Sequence, residues 1–168
     1  MTSDEYEVFT REVWHGFLAD ATAEDIHRSL LTVNWDDADL EHPLWARILA
    51  DPSVDRATAL AAYWMSGPRW HKQHTAEEAC QKDGAVSEEI EERYVAGFWT
   101  QAGIGYDPRC DDGQDWTEEY SDVTTVREIP AVMFEPVCGA VVPRPEDGWD
   151  DGLPHELAER LFAVEIAD

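Results

Sequence analysis

The sequence predicts a mainly α, compact multi-helix single domain over residues 1–168, with a small β-hairpin near residues 120–142. Two observations indicate this class. Up to residue 103, apolar residues recur at spacings of three and four, and capping residues or Gly-Pro stops separate the periodic segments. Beyond residue 106, proline and glycine become frequent and β-branched residues occur only in short runs. With 168 residues, the chain is long enough to bury a substantial core.

The first two helices are predicted over residues 3–20 and 22–31. Ser3 is the expected N-cap of the first, since acids fill the turn that follows it. One face of each helix is apolar and is predicted to face the core. These faces consist of Tyr6, Phe9, Val13 and Phe17 in the first helix, and Ile26, Leu30 and Leu31 in the second.

The next two helices are predicted to hold the centre of the domain. Pro43 opens a third helix over residues 44–50, a position at the start of a helix that suits proline. Asp55 leads a fourth helix over residues 56–65. This helix is apolar nearly all round, so it is predicted to be buried. Its predicted core residues are Leu60, Tyr63 and Trp64.

The remaining elements are shorter or weaker. Thr75 opens a capping box for a short fifth helix, and Ser87 starts a longer sixth helix that includes Phe98. A last helix is predicted over residues 154–166. The candidate strands of the hairpin are residues 123–126 and 137–142.

The chain is strongly acidic, with 37 Asp and Glu against 12 Lys and Arg and a formal net charge of −25. A field of this sign repels phosphate backbones and anionic lipid surfaces, so nucleic acid and membranes are poor partners. Basic proteins are attracted by the same field and meet it faster. An acid-rich, Lys-poor composition is also a common background in some proteomes. Acidity that serves only solubility therefore stays an alternative.

Carboxylates concentrate in two stretches, residues 77–92 and 107–122, each of which holds seven. Seven acids and a single base, Arg109, lie between residues 107 and 122. A uniform acidic composition would spread them more evenly, so this loop is the predicted partner-binding surface. Trp116 is expected to be an exposed aromatic anchor within it. The predicted contact residues are Asp107, Asp111, Asp112, Asp115, Trp116, Glu118 and Glu119.

A second acidic turn is predicted to be structural. Trp35 is expected to anchor it in the core, and Asp36 or Asp37 is expected to accept backbone N–H bonds at the start of the third helix. A catalytic or metal-binding turn that includes Asp39 is the alternative.

This turn also belongs to a resemblance with a known family. The resemblance rests on Asn34-Trp35-Asp36-Asp37, Pro43, Asp51-Pro52, Asp55, Thr58-Ala59-Leu60 and Tyr63-Trp64. These residues resemble an uncharacterised bacterial family, catalogued as a domain of unknown function, which has an Asn-Trp-Asp-Asp-Gly turn. In that family a proline-led helix follows, and then a Thr-Ala-Leu helix that ends in aromatics. Ala38 stands where the family usually has glycine.

With Tyr106-Asp107-Pro108 and Ile129-Pro130 also similar, the resemblance spans about residues 25–139. It implies a small, soluble, helical bacterial protein. It transfers no catalytic residue.

No sequence motif predicts a metal, cofactor or catalytic centre. The acidic loop lacks the spacing of an EF-hand, and no zinc pattern emerges from the ligand types that are present, namely His71, His74, Cys80 and Cys110. Gly-x-Ser-x-Gly and phosphate-binding glycine loops are missing from the sequence. We therefore expect that the protein binds no metal ion or cofactor and is not an enzyme. A metal-dependent hydrolase built from the Asp clusters is the alternative.

The three cysteines are widely spaced, and the N-terminal residues lack the features of a signal peptide, which favours a cytoplasmic protein. The predicted function is an acidic protein-binding module. Its most specific form is an immunity or antitoxin-type protein that neutralises a basic bacterial toxin, with carboxylates in place of phosphates. An acidic housekeeping or scaffold domain is the alternative. The sequence leaves the partner and the oligomeric state open.

Overall fold

The computed structural model describes residues 1–34, 41–81 and 84–164. The α-helices within these ranges are α1 Ser3–Asp20, α2 Ala23–Thr32, α3 Pro43–Ala50, α4 Arg56–Met65, α5 Pro68–His71, α6 Ala76–Cys80, α7 Ala85–Val95 and α8 His155–Phe162. The short strands are β1 Ile104–Gly105, β2 Ala140–Val141, β3 Trp149–Asp150 and β4 Leu153–Pro154. The mainly α prediction is confirmed. None of the helices in these ranges is long and apolar enough to cross a membrane.

Helix α4 forms the centre of the core, as predicted. Leu60, Tyr63 and Trp64 are at most 1% exposed. Helices α2 and α7 and strand β1 pack against α4. The indole N–H of Trp64 donates to the carbonyl of Met133 at 2.7 Å. This bond ties the late part of the chain to the central helix.

Asp55 caps α4 and also fixes a distant loop. Its Oδ1 accepts the amide of Ala57 at 2.9 Å, while its Oδ2 accepts the amides of Gly103 at 2.6 Å and Ile104 at 3.0 Å. The side chain is buried. A single carboxylate therefore holds the start of α4 against β1 and orients the chain that leads to Tyr106.

The β-hairpin predicted near residues 120–142 does not form, and the observed strands pair differently. The antiparallel pair is β3 with β4, whereas β1 and β2 pair in parallel. At this crossing the backbones are so close that a Cβ on Gly139 would lie 2.4 Å from the carbonyl carbon of Ile104, so only glycine fits. Just beyond it, the backbones of Tyr106 and Val137 exchange two hydrogen bonds of 2.9 Å.

The other predicted strand, residues 123–126, forms a loop. The amide of Val126 donates to the carbonyl of Lys72 at 2.9 Å, and the side chain of Val126 is exposed. The next residue, Arg127, donates two hydrogen bonds to Glu88 on α7, at 2.7 and 2.8 Å. These hydrogen bonds of Val126 and Arg127, rather than strand pairing, hold the segment in place.

Helix α7 is shorter than predicted. It begins before Ser87, whose hydroxyl donates to the carbonyl of Gly84 at 3.0 Å. It ends because Gly97 adopts a φ of 74° and the amide of Phe98 turns back to the carbonyl of Arg93 at 2.9 Å. This is a Schellman motif, which leaves Phe98 outside the helix.

The first and last helices also differ slightly from their predicted bounds. Thr2, and not Ser3, caps α1, and Glu5 completes the capping box. Helix α8 ends at Phe162, since Ala163 is already its C-cap. Residues 165 and 166, the end of the predicted last helix, lie outside the described residues.

Candidate functional site

The predicted acidic loop folds around an internal contact. The carboxylate of Asp111 accepts the indole N–H of Trp116 at 2.7 Å and a guanidinium N–H of Arg144 at 3.4 Å. The backbones of Asp111 and Gln114 exchange hydrogen bonds of 2.9 and 3.0 Å. Asp112 takes a left-handed φ of 50° at the tip. This turn divides the loop into residues 107–112 and 115–119, which face different surfaces.

Several predicted contact residues have an internal role instead. Asp107 accepts the amide of Arg109 at 3.0 Å, and Asp115 accepts the amide of Thr117 at 2.9 Å at the start of a short 3-10 helix. Trp116 packs against the core, so the expectation of an exposed anchor there is wrong. Its inward position follows from the hydrogen bond to Asp111.

The remaining acids of the loop face solvent to different extents. Asp112 and Glu118 are exposed, whereas Glu119 is partly covered. Burial raises the pKa of the Glu119 carboxyl. Asp112 and Glu118 are thus the most exposed of the seven predicted contact residues, and the other five are partly buried.

Two aromatic residues that the sequence did not single out are exposed beside the second half of the loop. Trp70 is 49% exposed and Tyr120 is 42% exposed, with 5.4 Å between their ring centroids. Neither residue belongs to an apolar stripe, and this isolation is the sequence signal that could have found them. We define the Trp70–Tyr120 surface as these two rings and the adjacent acids Glu118, Glu119 and Asp122.

The backbone holds this surface in place. Tyr120 has a φ of 54°. This left-handed backbone conformation is energetically unfavourable for any residue other than glycine. Nearby, Arg69 donates to the carbonyl of Thr117 at 2.6 Å, which joins the loop to α5. The position of the Tyr120 ring is therefore set by the loop and α5 together.

The first half of the loop lines a cavity of about 700 Å³, here named the α2 cavity. Arg144 lies in its wall, where it donates to the carbonyl of Leu31 near the end of α2 and contacts Asp111. The residues that line the cavity are His27, Gly105, Tyr106, Asp107, Cys110, Asp111, Asp112, Pro136, Val137, Cys138, Gly139, Val141, Val142, Pro143, Arg144 and Glu146.

Two polar side chains in the wall of the α2 cavity are almost fully buried. His27 is 1% exposed, and its Nδ1 lies 3.0 Å from Oγ1 of Thr58. Burial lowers the pKa of His27 to about 4, so the ring is neutral near pH 7. Tyr106 is 7% exposed, and its hydroxyl has no hydrogen-bond partner in the described part of the chain. Burial also raises the pKa of that hydroxyl.

A buried ion network lies away from the loop. Lys72 is 2% exposed; its Nζ donates to Glu91 at 2.8 Å and lies 3.5 Å from Glu88. The hydroxyl of Tyr63 donates to Glu91 at 2.6 Å. Although burial opposes it, the hydrogen bonds from Arg127 and the charge of Lys72 lower the pKa of Glu88. Each charge is paired, so the network is best understood as structural.

The candidate metal ligands do not come together. Among residues 1–34, 41–81 and 84–164, no group of three or more His, Cys, Asp or Glu side chains could hold a metal ion. The predicted structural turn, Trp35, Asp36 and Asp37, lies outside these ranges, as does Asp39. The observed N-cap of α3 is His42, whose Nδ1 accepts the amide of Leu44 at 3.2 Å.

Comparison with known families gives one match. Residues 23–95 match the model of a domain of unknown function (DUF4274). The resemblance to an uncharacterised family is thereby confirmed. The matched segment contains α2 to α7, whereas the acidic loop and the outer wall of the α2 cavity follow it in the chain. No curated protein and no solved structure matches the chain.

Proposed function

We propose that this protein binds a basic protein through the Trp70–Tyr120 surface. The observation that carries the proposal is a pair of large exposed rings bordered by carboxylates, on a chain with a net charge of −25. Aromatic side chains supply much of the binding energy at protein interfaces, and acids around them attract and orient a cationic partner.

The cost of holding Tyr120 outward supports this proposal. A left-handed φ at a tyrosine is unfavourable, and strained backbone concentrates at functional positions. The ring packs against Trp70 and is not part of the hydrophobic core. Acidity that served only solubility would require neither the strain nor the exposed rings.

The most specific form of the proposal is an immunity or antitoxin-type protein that blocks a basic bacterial toxin. In this form, Glu118, Glu119 and Asp122 take the place of phosphates in the basic cleft, and the two rings cover the apolar surroundings. Cys80, Cys110 and Cys138 are unpaired, which suits a reducing compartment, so we propose that the protein acts in the cytoplasm.

Affinity capture with matched variants tests the proposal. The baits are the wild-type protein, Trp70→Ala, and a variant that combines Glu118→Gln, Glu119→Gln and Asp122→Asn. The control combines Glu7→Gln, Glu12→Gln and Asp20→Asn, which changes the net charge equally on the exposed side of α1. We expect the wild type and the control to retain a basic protein that the other two variants lose.

The captured protein is then purified and tested directly. Its association rate with the wild type should fall as salt rises, because exposed charges are screened beyond roughly 8 Å at physiological ionic strength. Co-expression should relieve its toxicity if the immunity form is correct. Equal loss of binding in both charge variants, or full binding by Trp70→Ala, would contradict the proposed surface.

A further inference from the structure

We propose that the groove between α1 and α8 binds the apolar face of a basic amphipathic helix from a partner protein. The groove has a volume of about 510 Å³, and its wall includes Phe9, Val13, Phe17 and Leu157. None of its lining residues belongs to the Trp70–Tyr120 surface, so the inference does not depend on the function proposed there. Three features of this α1–α8 groove carry the inference: a glycine inside α1, an apolar wall that is already formed, and an excess of carboxylates.

Gly16 lies inside α1 although no contact within the described chain requires glycine there. It is the one glycine inside a described helix, and it lines the groove. Glycine in a helix interior is less stable than alanine, because it loses more conformational freedom on folding. Apart from the adjoining backbone of α1, a Cβ at this position would meet no described atom within 4 Å. The missing side chain allows a second helix to approach the backbone of α1 closely, since the side chains at a helix contact set the distance between the helices.

Aromatic contacts hold the apolar wall of the groove in shape. The ring of Phe17 packs edge-to-face against Trp14, with 6.1 Å between ring centroids, and against Trp149, with 5.8 Å. Phe9, Phe17 and Leu157 are half-buried and pack against the hydrophobic core. The wall is therefore formed before a ligand binds, which lowers the entropic cost of ordering side chains on binding.

The charges of the groove favour a basic helix. Glu12, Asp20 and Asp25 line it, whereas Arg160 is the one Lys or Arg among its described lining residues. Asp25 is already engaged in the capping box of α2 and with Arg28, so the excess charge lies on the exposed Glu12 and Asp20. Lysine or arginine side chains on the flanks of an incoming helix would pair with these acids, while its apolar stripe contacts the wall. Helices with basic flanks and an apolar stripe dock into grooves of this kind.

Isothermal titration calorimetry with designed peptides tests the inference on the full chain. The probe is a helical peptide of leucine and lysine whose leucines recur at spacings of three and four. A scrambled peptide of the same composition has the same charge but no apolar face, and a third peptide has glutamate in place of lysine. We expect the helical lysine peptide to bind about tenfold or more tightly than the scrambled peptide, and the glutamate peptide not to bind.

Variants of α1 locate the binding. Gly16→Ala should raise the melting temperature by about 2–4 °C and yet weaken peptide binding, because its methyl group keeps the incoming helix away from the backbone. Gly16→Leu fills the groove and should bind about tenfold more weakly or worse. Ala19→Leu is the matched control, since Ala19 is exposed on the same helix and does not line the groove. It should bind the peptide as the wild type does.

Two further measurements separate this groove from the Trp70–Tyr120 surface. Amide NMR shifts of α1 and α8 should change when the lysine peptide binds. The triple variant of Glu7, Glu12 and Asp20 should bind the peptide more weakly, although it leaves the Trp70–Tyr120 surface unchanged. No binding of the lysine peptide, equal binding of the scrambled peptide, wild-type affinity in both Gly16 variants, or shift changes confined to other parts of the protein would overturn the inference.

Discussion

At the scale of single residues, buried polar side chains position the loops of this protein. Asp55 accepts amide hydrogens from α4 and from β1, and His27 contacts Thr58 between α2 and α4. Each of these side chains joins segments that are far apart in the chain. Because a buried polar group must be hydrogen-bonded, the positions of its partners are tightly constrained.

His27 should make stability depend on pH in the acid range. Its pKa is lowered from the ordinary 6.5 to about 4 by burial; Asp111 and Asp55 oppose this shift, and Arg144 and Arg28 add to it. Between these two values the unfolded chain binds a proton that the folded chain does not, so stability falls as pH falls from about 6.5 to about 4. The loss is at most about 3 kcal/mol.

Urea unfolding between pH 7 and pH 4 measures this effect as a difference between proteins. His27→Asn should show a weaker loss of stability than the wild type, whereas His15→Gln at an exposed position should behave as the wild type does. NMR titration of the His27 ring gives its pKa directly. A pKa near 6.5 would show that the ring is accessible to water and would refute the expectation.

At the scale of secondary-structure elements, ion pairs between side chains stabilise the junction of α4, α7 and the chain that follows α5. Lys72 lies between Glu88 and Glu91, and Arg127 covers the other side of Glu88. The same arginine holds the loop of residues 123–126, which has no strand partner. A buried pair is sensitive to the loss of one member, because the remaining charge has no solvent to stabilise it.

Lys72→Met should therefore destabilise the protein by about 3–5 kcal/mol, since Glu88 and Glu91 lose their shared cation. Adding Glu91→Gln should restore part of this loss, because it removes one of the unpaired charges. Arg28→Met, which breaks a more exposed pair with Glu24 on α2, should cost under about 1 kcal/mol. Chemical denaturation of the four proteins gives the comparison, and similar costs for Lys72→Met and Arg28→Met would show that the network is not buried in solution.

At the scale of the whole molecule, the net charge of −25 comes both from acids that accept internal hydrogen bonds and from acids that are exposed to solvent. Asp111 and Asp115 accept hydrogen bonds that shape the acidic loop. Glu7, Glu12 and Asp20 lie exposed on α1. Only acids of the second kind can be removed without disturbing the fold, and self-repulsion among them lowers stability.

Neutralising the two kinds should have opposite effects on unfolding. Asp111→Asn with Asp115→Asn should cost about 1–3 kcal/mol, because Trp116 and Thr117 lose charged acceptors. The triple variant of Glu7, Glu12 and Asp20 should be as stable as the wild type or slightly more stable. Melting curves at low salt measure both. A double variant with wild-type stability would mean that the loop does not need its internal hydrogen bonds.

The sequence by itself determined most of the helices and the central position of α4, but it did not predict the short helix α5. Thr75 with its capping box, Pro43 at the start of α3 and Asp55 at the start of α4 are local signals, readable within a few residues. The burial of Leu60, Tyr63 and Trp64 also follows from a local property, because a helix that is apolar nearly all round has no face for water. The acidity and its concentration in residues 77–92 and 107–122 are equally visible in the sequence.

Only the tertiary structure decided which residues of the loop face outward and what they face. Trp116 turns inward because Asp111 accepts its N–H, and Trp70 lies outward beside Tyr120. His27 and Tyr106 line one cavity although they lie far apart in the chain. The contacts that decide these positions join residues that are distant in sequence. Such contacts cannot be predicted from the spacing of residues along the chain. A two-residue parallel strand likewise depends on its partner and leaves no periodic pattern of its own.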